Sequence, residues 1–216
     1  KDDAFIRLLN AIRNNSATEV DLQALNTRVD AAFRPAPKDL TIRLTTTNQA
    51  ADTVNHQRLA ELPGKVRTYT GLIQGDFGRE SLPTEVTLRL KTGSQIMLLN
   101  NDTGRRWVNG SMGAINGIRF DEEMECDVLD VTLTSGKRVK VTPFTWEIFR
   151  TVLHPGSGSL GSETVGTFTQ YPVRLAWAVT IHKSQGKTFD RVIVDLERGT
   201  FAPGQLYVAL SRCTTL

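Results

Sequence analysis

The chain has 216 residues, enough for one or two domains with cores of their own, and no apolar run approaches the roughly 20 residues that cross a bilayer. Its formal charge of +3 admits a nucleic-acid partner and suits a solvated mixed surface equally well. Two distant cysteines, Cys126 and Cys213, and three isolated histidines, His56, His154 and His182, exclude a disulfide framework, a redox pair and a zinc set, which points to an intracellular protein, cytoplasmic if bacterial.

Residues 1–40 read as a helical linker. Phe5, Leu8, Leu9 and Ile12 stand at helical spacing. After the polar break "NNS", Thr18 and Asp21 make a capping-box start for a second helix carrying Val20, Leu22 and Leu25. The proline-rich "RPAPKD" closes the segment. No signal peptide is legible and no membrane partner is expected. The abrupt helical start and the uncapped end at Leu216 suggest a piece of a longer protein.

Residues 41–85 carry α/β patterning. "TIRLTTT" alternates Ile42 and Leu44 with polar residues, "NQAADTVNHQRLAEL" spaces Ala51, Val54 and Leu59 as a helix, and "KVRTYTGLI" reads as a strand. Strand, helix, strand at this spacing predicts a βαβ unit.

Residues 86–166 turn to β structure. Val86, Leu88 and Leu90 alternate, "SQIMLLN" follows, and Asn109-Gly110 marks a tight turn. "CDVLDVTLT" and "KRVKVTPF" flank Ser135-Gly136 as a hairpin with a two-residue turn. Several short strands predict a small inserted barrel, ended by a flexible Gly/Ser-rich loop at 154–166.

Residues 167–216 return to α/β. The apolar "VRLAWAVTIH" fits strand or helix, "RVIVDL" reads as a buried strand, and Pro203 opens a helix over "PGQLYVALSR".

"TIHKSQGKTFD", residues 180–190, contains Gly186-Lys187-Thr188 but is no phosphate-binding P-loop. That pattern needs a glycine where Ile181 stands, and no other window supplies it. The segment joins an apolar run to a buried strand, the kind of strand-end loop where α/β proteins bind ligands.

"LKTGSQIMLLNND", "VNGSMG", "VRLAWAVTIHKSQGKTFD" and "GQLYVALSR", in this order, resemble the C-terminal half of superfamily one, group B helicases. The petite-integration-frequency DNA helicases are the most similar branch, with the RecD-type next. The resemblance runs from about residue 40 to the end. It implies an α/β fold: a RecA-like second motor domain with an inserted Src-homology-three-like barrel. It also implies an ATP-dependent DNA helicase of repair and recombination, moving 5′ to 3′, with ATP, Mg2+ and single-stranded DNA held between two motor domains. The P-loop and the Walker B acids of the first motor domain are absent, so the chain alone is expected to bind no nucleotide and to be inactive.

By the same resemblance Arg212 is the arginine finger, and Gly186, Gln205 and Arg212 face the ATP cleft. Thr46, Thr47, Asn48, Thr180, His182 and Ser184 face single-stranded DNA; Lys183 and Gln185 serve either ligand. Read without the resemblance, Arg212 is a helix-end charge and Thr47 an ordinary helix cap. Trp177 lies in an apolar run and reads as core, while Trp107, in a polar loop, is a candidate for base stacking. Two other functions fit the same motifs: a non-catalytic binding module descended from a helicase, and the helicase half of a conjugative relaxase.

Overall fold

The computed structural model describes residues 2–36, 39–153, 160–196, 199, 202 and 204–216. They fall into two compact units, one of residues 1–58 and 176–216, the other of residues 59–175. No helix among the described residues is long and apolar enough to cross a membrane.

In the first unit, helix α1 (Asp3–Arg13) starts at Asp2, whose carboxylate accepts from the Phe5 N–H at 3.0 Å, and it buries Phe5 and Leu8. Helix α2 (Glu19–Asn26) has the reciprocal cap read from the sequence: Thr18 Oγ1 accepts from the Asp21 N–H and the Asp21 carboxylate from the Thr18 N–H. The Thr18 backbone bond holds the Asp21 carboxyl below its ordinary pKa. Of the expected apolar face of α2, Val20 and Leu22 are exposed and only Leu25 is half-buried. Strand β1 (Ile42–Thr45) buries Ile42 and Leu44 completely. On helix α3 (Asn48–Glu61) the buried stripe is Ala51, Asn55 and Leu59, four residues apart.

The second unit opens with β2 (Arg67–Thr70) and β3 (Leu72–Gly75). Neither pairs with β1, so the expected βαβ unit does not form: β2 pairs antiparallel with β4 (Thr87–Leu90). Both strands are largely exposed, whereas a parallel strand between two helical layers must be apolar on both faces. Next come β5 (Gln95–Leu98), β6 (Met112–Asp121), β7 (Cys126–Leu133) and β8 (Arg138–Val141). A long antiparallel hairpin of β9 (Phe144–Leu153) and β10 (Leu160–Gln170) takes β3 on its outer edge, and β11 (Val173–Leu175) returns to β5. The five-stranded order is β11-β5-β6-β7-β8, with Ile115, Leu129, Val131, Val139 and Val141 buried in its core.

Its pairing ends at β11 and β8, so the sheet is open among the described residues where a closed barrel was expected. The β7–β8 loop spans 134–136, one residue longer than expected: Leu133 N–H bonds the Lys137 carbonyl, with Gly136 at φ +80°. Residues 160–166, expected as loop, are strand, because ladder bonds use only backbone groups and tolerate small residues. Residues 154–159, with His154, lie outside the described residues.

Back in the first unit, β12 (Ala178–Thr180) and β13 (Val192–Val194) flank β1 in parallel, with Arg43 opposite Ala178 and Ile42 opposite Val192. The ambiguous apolar run is therefore two short strands, β11 and β12, joined by buried Ala176 and Trp177. β13 is only half-buried, as suits a sheet edge, rather than the buried strand expected. Helix α4 (Gln205–Leu210) follows Gly204; Pro203, expected in its first turn, lies outside the described residues.

Candidate functional site

Parallel pairing of β1 with β12 aligns Thr45 with Thr180 and carries both carboxyl ends to one edge of the sheet. Two candidate segments, 46–48 and 181–187, thus leave the sheet side by side. The carboxyl edge of a parallel sheet is the usual ligand side of such folds.

The 181–187 segment is a compact turn built on two buried hydroxyls. Ile181 continues the pairing, its N–H on the Thr45 carbonyl at 2.9 Å. A 3-10 turn over His182–Ser184 follows. The Ser184 hydroxyl donates to the Ile181 carbonyl at 2.6 Å, and Thr180 Oγ1 accepts from the Lys183 N–H at 3.3 Å. Ser184 is wholly buried and Thr180 is 6% exposed. Neither hydroxyl faces outward, so the structure makes Thr180 and Ser184 builders of the turn, not surface donors. His182, Lys183, Gln185 and Gly186 are exposed. Gly186 sits at φ +73° with open space where a Cβ would stand, so the position needs glycine for its backbone and not for room.

Arg212, just past α4, closes the turn from the other side. Its Nη1 donates to the carbonyls of Ser184 (3.3 Å) and Lys187 (3.1 Å), its Nε to the Val208 carbonyl (2.8 Å) and its Nη2 to Ser211 Oγ (2.7 Å). The Arg212 carbonyl in turn accepts from the Phe189 N–H at 2.9 Å, over a buried Phe189 ring. Two motif segments that are separate in sequence are joined by one guanidinium. Gln205, at the start of α4, is half-buried and already has a polar contact. Burial pushes the neighbouring Cys213 thiol up, away from nucleophilic use.

At the β1–α3 corner, Thr47 Oγ1 accepts from the Ala50 N–H at 3.1 Å, an ordinary helix cap. Thr45 Oγ1 donates to the Thr47 carbonyl at 3.0 Å. Thr46 is half-buried and Asn48 exposed. Of this trio, Asn48 is the side chain most open to a ligand.

Sequence reasoning missed Asn55. It is 8% exposed; its Nδ2 donates to the Ala178 carbonyl and its Oδ1 accepts from the Ala178 N–H, both at 2.9 Å. This side chain completes the free edge of β12 as a further strand would. The signal was available: Asn55 lies between Ala51 and Leu59 on the apolar stripe of α3. Trp107 must be corrected. It is 7% exposed, its Nε1 donates to Asn100 Oδ1 at 2.9 Å, and the Arg106 guanidinium covers its ring at 4.6 Å, so it offers no stacking platform. Trp177, at 8% exposed, is core.

Among the described residues no three His, Cys, Asp or Glu groups gather into a metal set.

Residues 175–216 match the UvrD-like helicase C-terminal domain family. Along its length the chain is similar to the ATP-dependent DNA helicase Pif1 of Bdellovibrio bacteriovorus, 32% identical over 216 residues that cover 98% of this chain and 45% of that protein. Among solved structures it is similar to Bacteroides sp. Pif1 in complex with ADP-AlF4, with TM-score 0.86 and 33% identity over 100% of this chain and 47% of that one. It is also similar to Bacteroides Pif1 bound to ssDNA, with TM-score 0.72 and 33% identity over 99% of this chain and 47% of that one. The chain thus spans just under half the length of these relatives.

Proposed function

The chain is a Pif1-like helicase C-terminal domain of mixed α/β fold, and from that premise we propose that in a longer protein it is the second motor half of an ATP-dependent DNA helicase. In this reading the first unit is the RecA-like motor domain. The open five-stranded sheet of the second unit is the counterpart of the Src-homology-three-like insert. ATP and Mg2+ are held mainly by the first motor domain, which supplies the P-loop and the metal ligands.

The observation that carries the reading is the Arg212 guanidinium on the Ser184 and Lys187 carbonyls. Hydrolysis gathers negative charge on the γ-phosphate, and a cation brought from a facing domain stabilises it; in similar NTPases such a residue is worth roughly a thousand- to hundred-thousand-fold. Arg212 is the cation we assign to that task, with Gly186 and Gln205 beside the nucleotide. To reach a phosphate it must exchange carbonyl partners for phosphate oxygens, which are stronger, charge-assisted acceptors. That exchange frees the turn at 184–187. His182 lies on the exposed side of the same turn, and with Asn48 and Thr46 it forms the proposed single-stranded DNA grip. Nucleotide state would then be felt at the DNA side through a few bonds, a local switch of the order–disorder kind. Lys183 and Gln185 remain open to either ligand. The direction proposed is 5′ to 3′, from family resemblance.

One observation favours a second reading. Every described bond of the Arg212 side chain is to its own unit, as a structural staple in a non-catalytic binding module would have it. ATP turnover of the longer protein separates the two. Arg212→Ala should lower DNA-stimulated turnover at least a hundredfold, about 3 kcal/mol of transition-state stabilisation, and single-stranded DNA affinity should lose its dependence on nucleotide state. Wild-type turnover in a folded variant would leave only the staple.

A further inference from the structure

Outside the motor motifs, the second unit concentrates positive charge on one face of its five-stranded sheet. On the edge strand β8, Val139 and Val141 are buried, so Arg138 and Lys140 project from the opposite face and are exposed. They stand across from Thr132 and Asp130, and Asp130 is already paired with Arg119. The loop before β6 is stitched alongside: Arg106 Nη1 donates to the Lys140 carbonyl and Lys137 Nζ to the Arg106 carbonyl, each at 3.4 Å. Arg105 is exposed on that loop.

Among the described residues, Arg105, Arg106, Arg119, Lys137, Arg138 and Lys140 thus meet two carboxylates, Asp102 and Asp130, in a chain whose entire formal charge is +3. The positive excess of the whole chain is gathered there. Acid is collected elsewhere, at the β6–β7 hairpin tip with Asp121, Glu122, Glu123 and Glu125. From Cys126, beside that tip, to Asp130 and Thr132 is four to six positions along β7, roughly 14 to 20 Å at about 3.4 Å per residue. The face is therefore polarised, and a polyanion laid on the basic end would be repelled from the other.

We propose that this face, centred on Arg138 and Lys140, binds the phosphate backbone of duplex DNA without reading its sequence. The charge selects phosphate. The missing platform selects duplex over single strand: Trp107, on the loop beside the patch, is buried under Arg106, and the exposed ring of Phe120 alternates to the opposite face of the sheet from Arg119, so unpaired bases find no ring on this face to stack on. A basic face suits the outside of a paired helix, where phosphates are presented and bases are hidden. The site lies within the second unit and stands apart from the reading of Arg212.

The test uses the 216-residue chain with a blunt duplex of about 20 base pairs and an oligo-dT of equal length, by fluorescence anisotropy from about 50 to 200 mM salt. Arg138→Glu with Lys140→Glu should weaken duplex binding about tenfold or more and reduce the slope of log affinity on log salt by about 2. Oligo-dT affinity, which tests the motor reading instead, should change less than about twofold. Arg138→Gln with Lys140→Gln should act in the same direction, more weakly, which removes any ambiguity from misfolding. Charged residues on an edge strand also guard against aggregation, and a mere guard would leave duplex affinity unchanged. That outcome, an equal loss for oligo-dT, or an equal loss for a polyglutamate peptide would each overturn the proposal.

Discussion

Arg212 grips Lys187 and Phe189 at once: its guanidinium donates to the Lys187 carbonyl at 3.1 Å, and its own carbonyl accepts from the Phe189 N–H at 2.9 Å. One residue therefore fastens the end of α4 to both sides of Thr188. Removing its side chain should cost stability as well as any catalytic role. Arg212→Ala is expected to lower unfolding free energy by about 1.5 to 3 kcal/mol, the range for hydrogen bonds to a charged group. Urea denaturation of the chain measures it. Arg212→Lys should recover part of the stability but little of the turnover proposed for the longer protein, since an ammonium lacks the planar fork.

Asn55 should matter more for stability than any exposed motif residue. Asn55→Ala leaves the Ala178 N–H and carbonyl buried without partners, at about 2 to 6 kcal/mol for two groups. Asn55→Asp should be worse near neutral pH, because a carboxylate faces the Ala178 carbonyl. Once protonated it can donate again, so burial raises its folded pKa and stability should climb as pH falls. Denaturation midpoints at about pH 7 and pH 5 test this; a variant losing stability faster than wild type on acidification would contradict the assigned pairing.

Asp102 gives a pH effect of the opposite sign. Its carboxylate takes bonds from Arg106 Nε, Nη2 and backbone N–H, chiefly the side-chain ones, and its pKa is lowered to about 2. With the folded value depressed below the ordinary 3.8, the stabilisation is complete above about pH 4. It should fade as pH falls toward 2. Amide exchange at Arg106 should quicken over that window, and Asp102→Asn should abolish the dependence.

Gly186→Ala should be strained without being crowded. An alanine at φ +73° costs on the order of 1 to 2 kcal/mol, and nothing stands within 4 Å of the added carbon. The expected result is a modest loss of stability with faster exchange in the 182–187 turn. A loss well above that range would mean the turn is crowded after all.

The chain by itself should not turn over ATP. It has no glycine-rich cradle or P-loop lysine for the β- and γ-phosphates. Purified chain with single-stranded DNA should stay far below the roughly 1 per second at the slow end of kinase turnover.

Local chemistry was legible wherever it is written in neighbouring residues. The Thr18–Asp21 cap and the alternation of Ile42 and Leu44 need only short-range rules. Pairing is not short-range. β1 takes its partners from Ala178 and Val192, and nothing near Ile42 announces them, so the nearer strand at 67–73 was the natural and mistaken choice. The functional residues divided similarly. Motif order singled out 180–187 and Arg212, but which hydroxyls point inward depends on the turn they build, and Thr180, Ser184 and Thr47 proved to be builders. Trp107 looked solvent-facing because its loop is polar, yet the loop folds over its own ring.

The partners of β1 also set the order in which the molecule can assemble during synthesis. Residues 59–175 form a unit from one continuous stretch and can close as soon as they emerge. Ile42 and Leu44 cannot be covered by β12 or β13 until Ala178 and Val192 have been made. During that interval the first segment carries an unpaired apolar strand with both edges open, the type of surface that chaperones bind and that aggregation exploits. Long-range parallel pairing is slow to form, so closure of the three-stranded sheet should be the last and slowest event. A nascent chain stalled before Ala178 should therefore show a protease-resistant middle and a labile beginning.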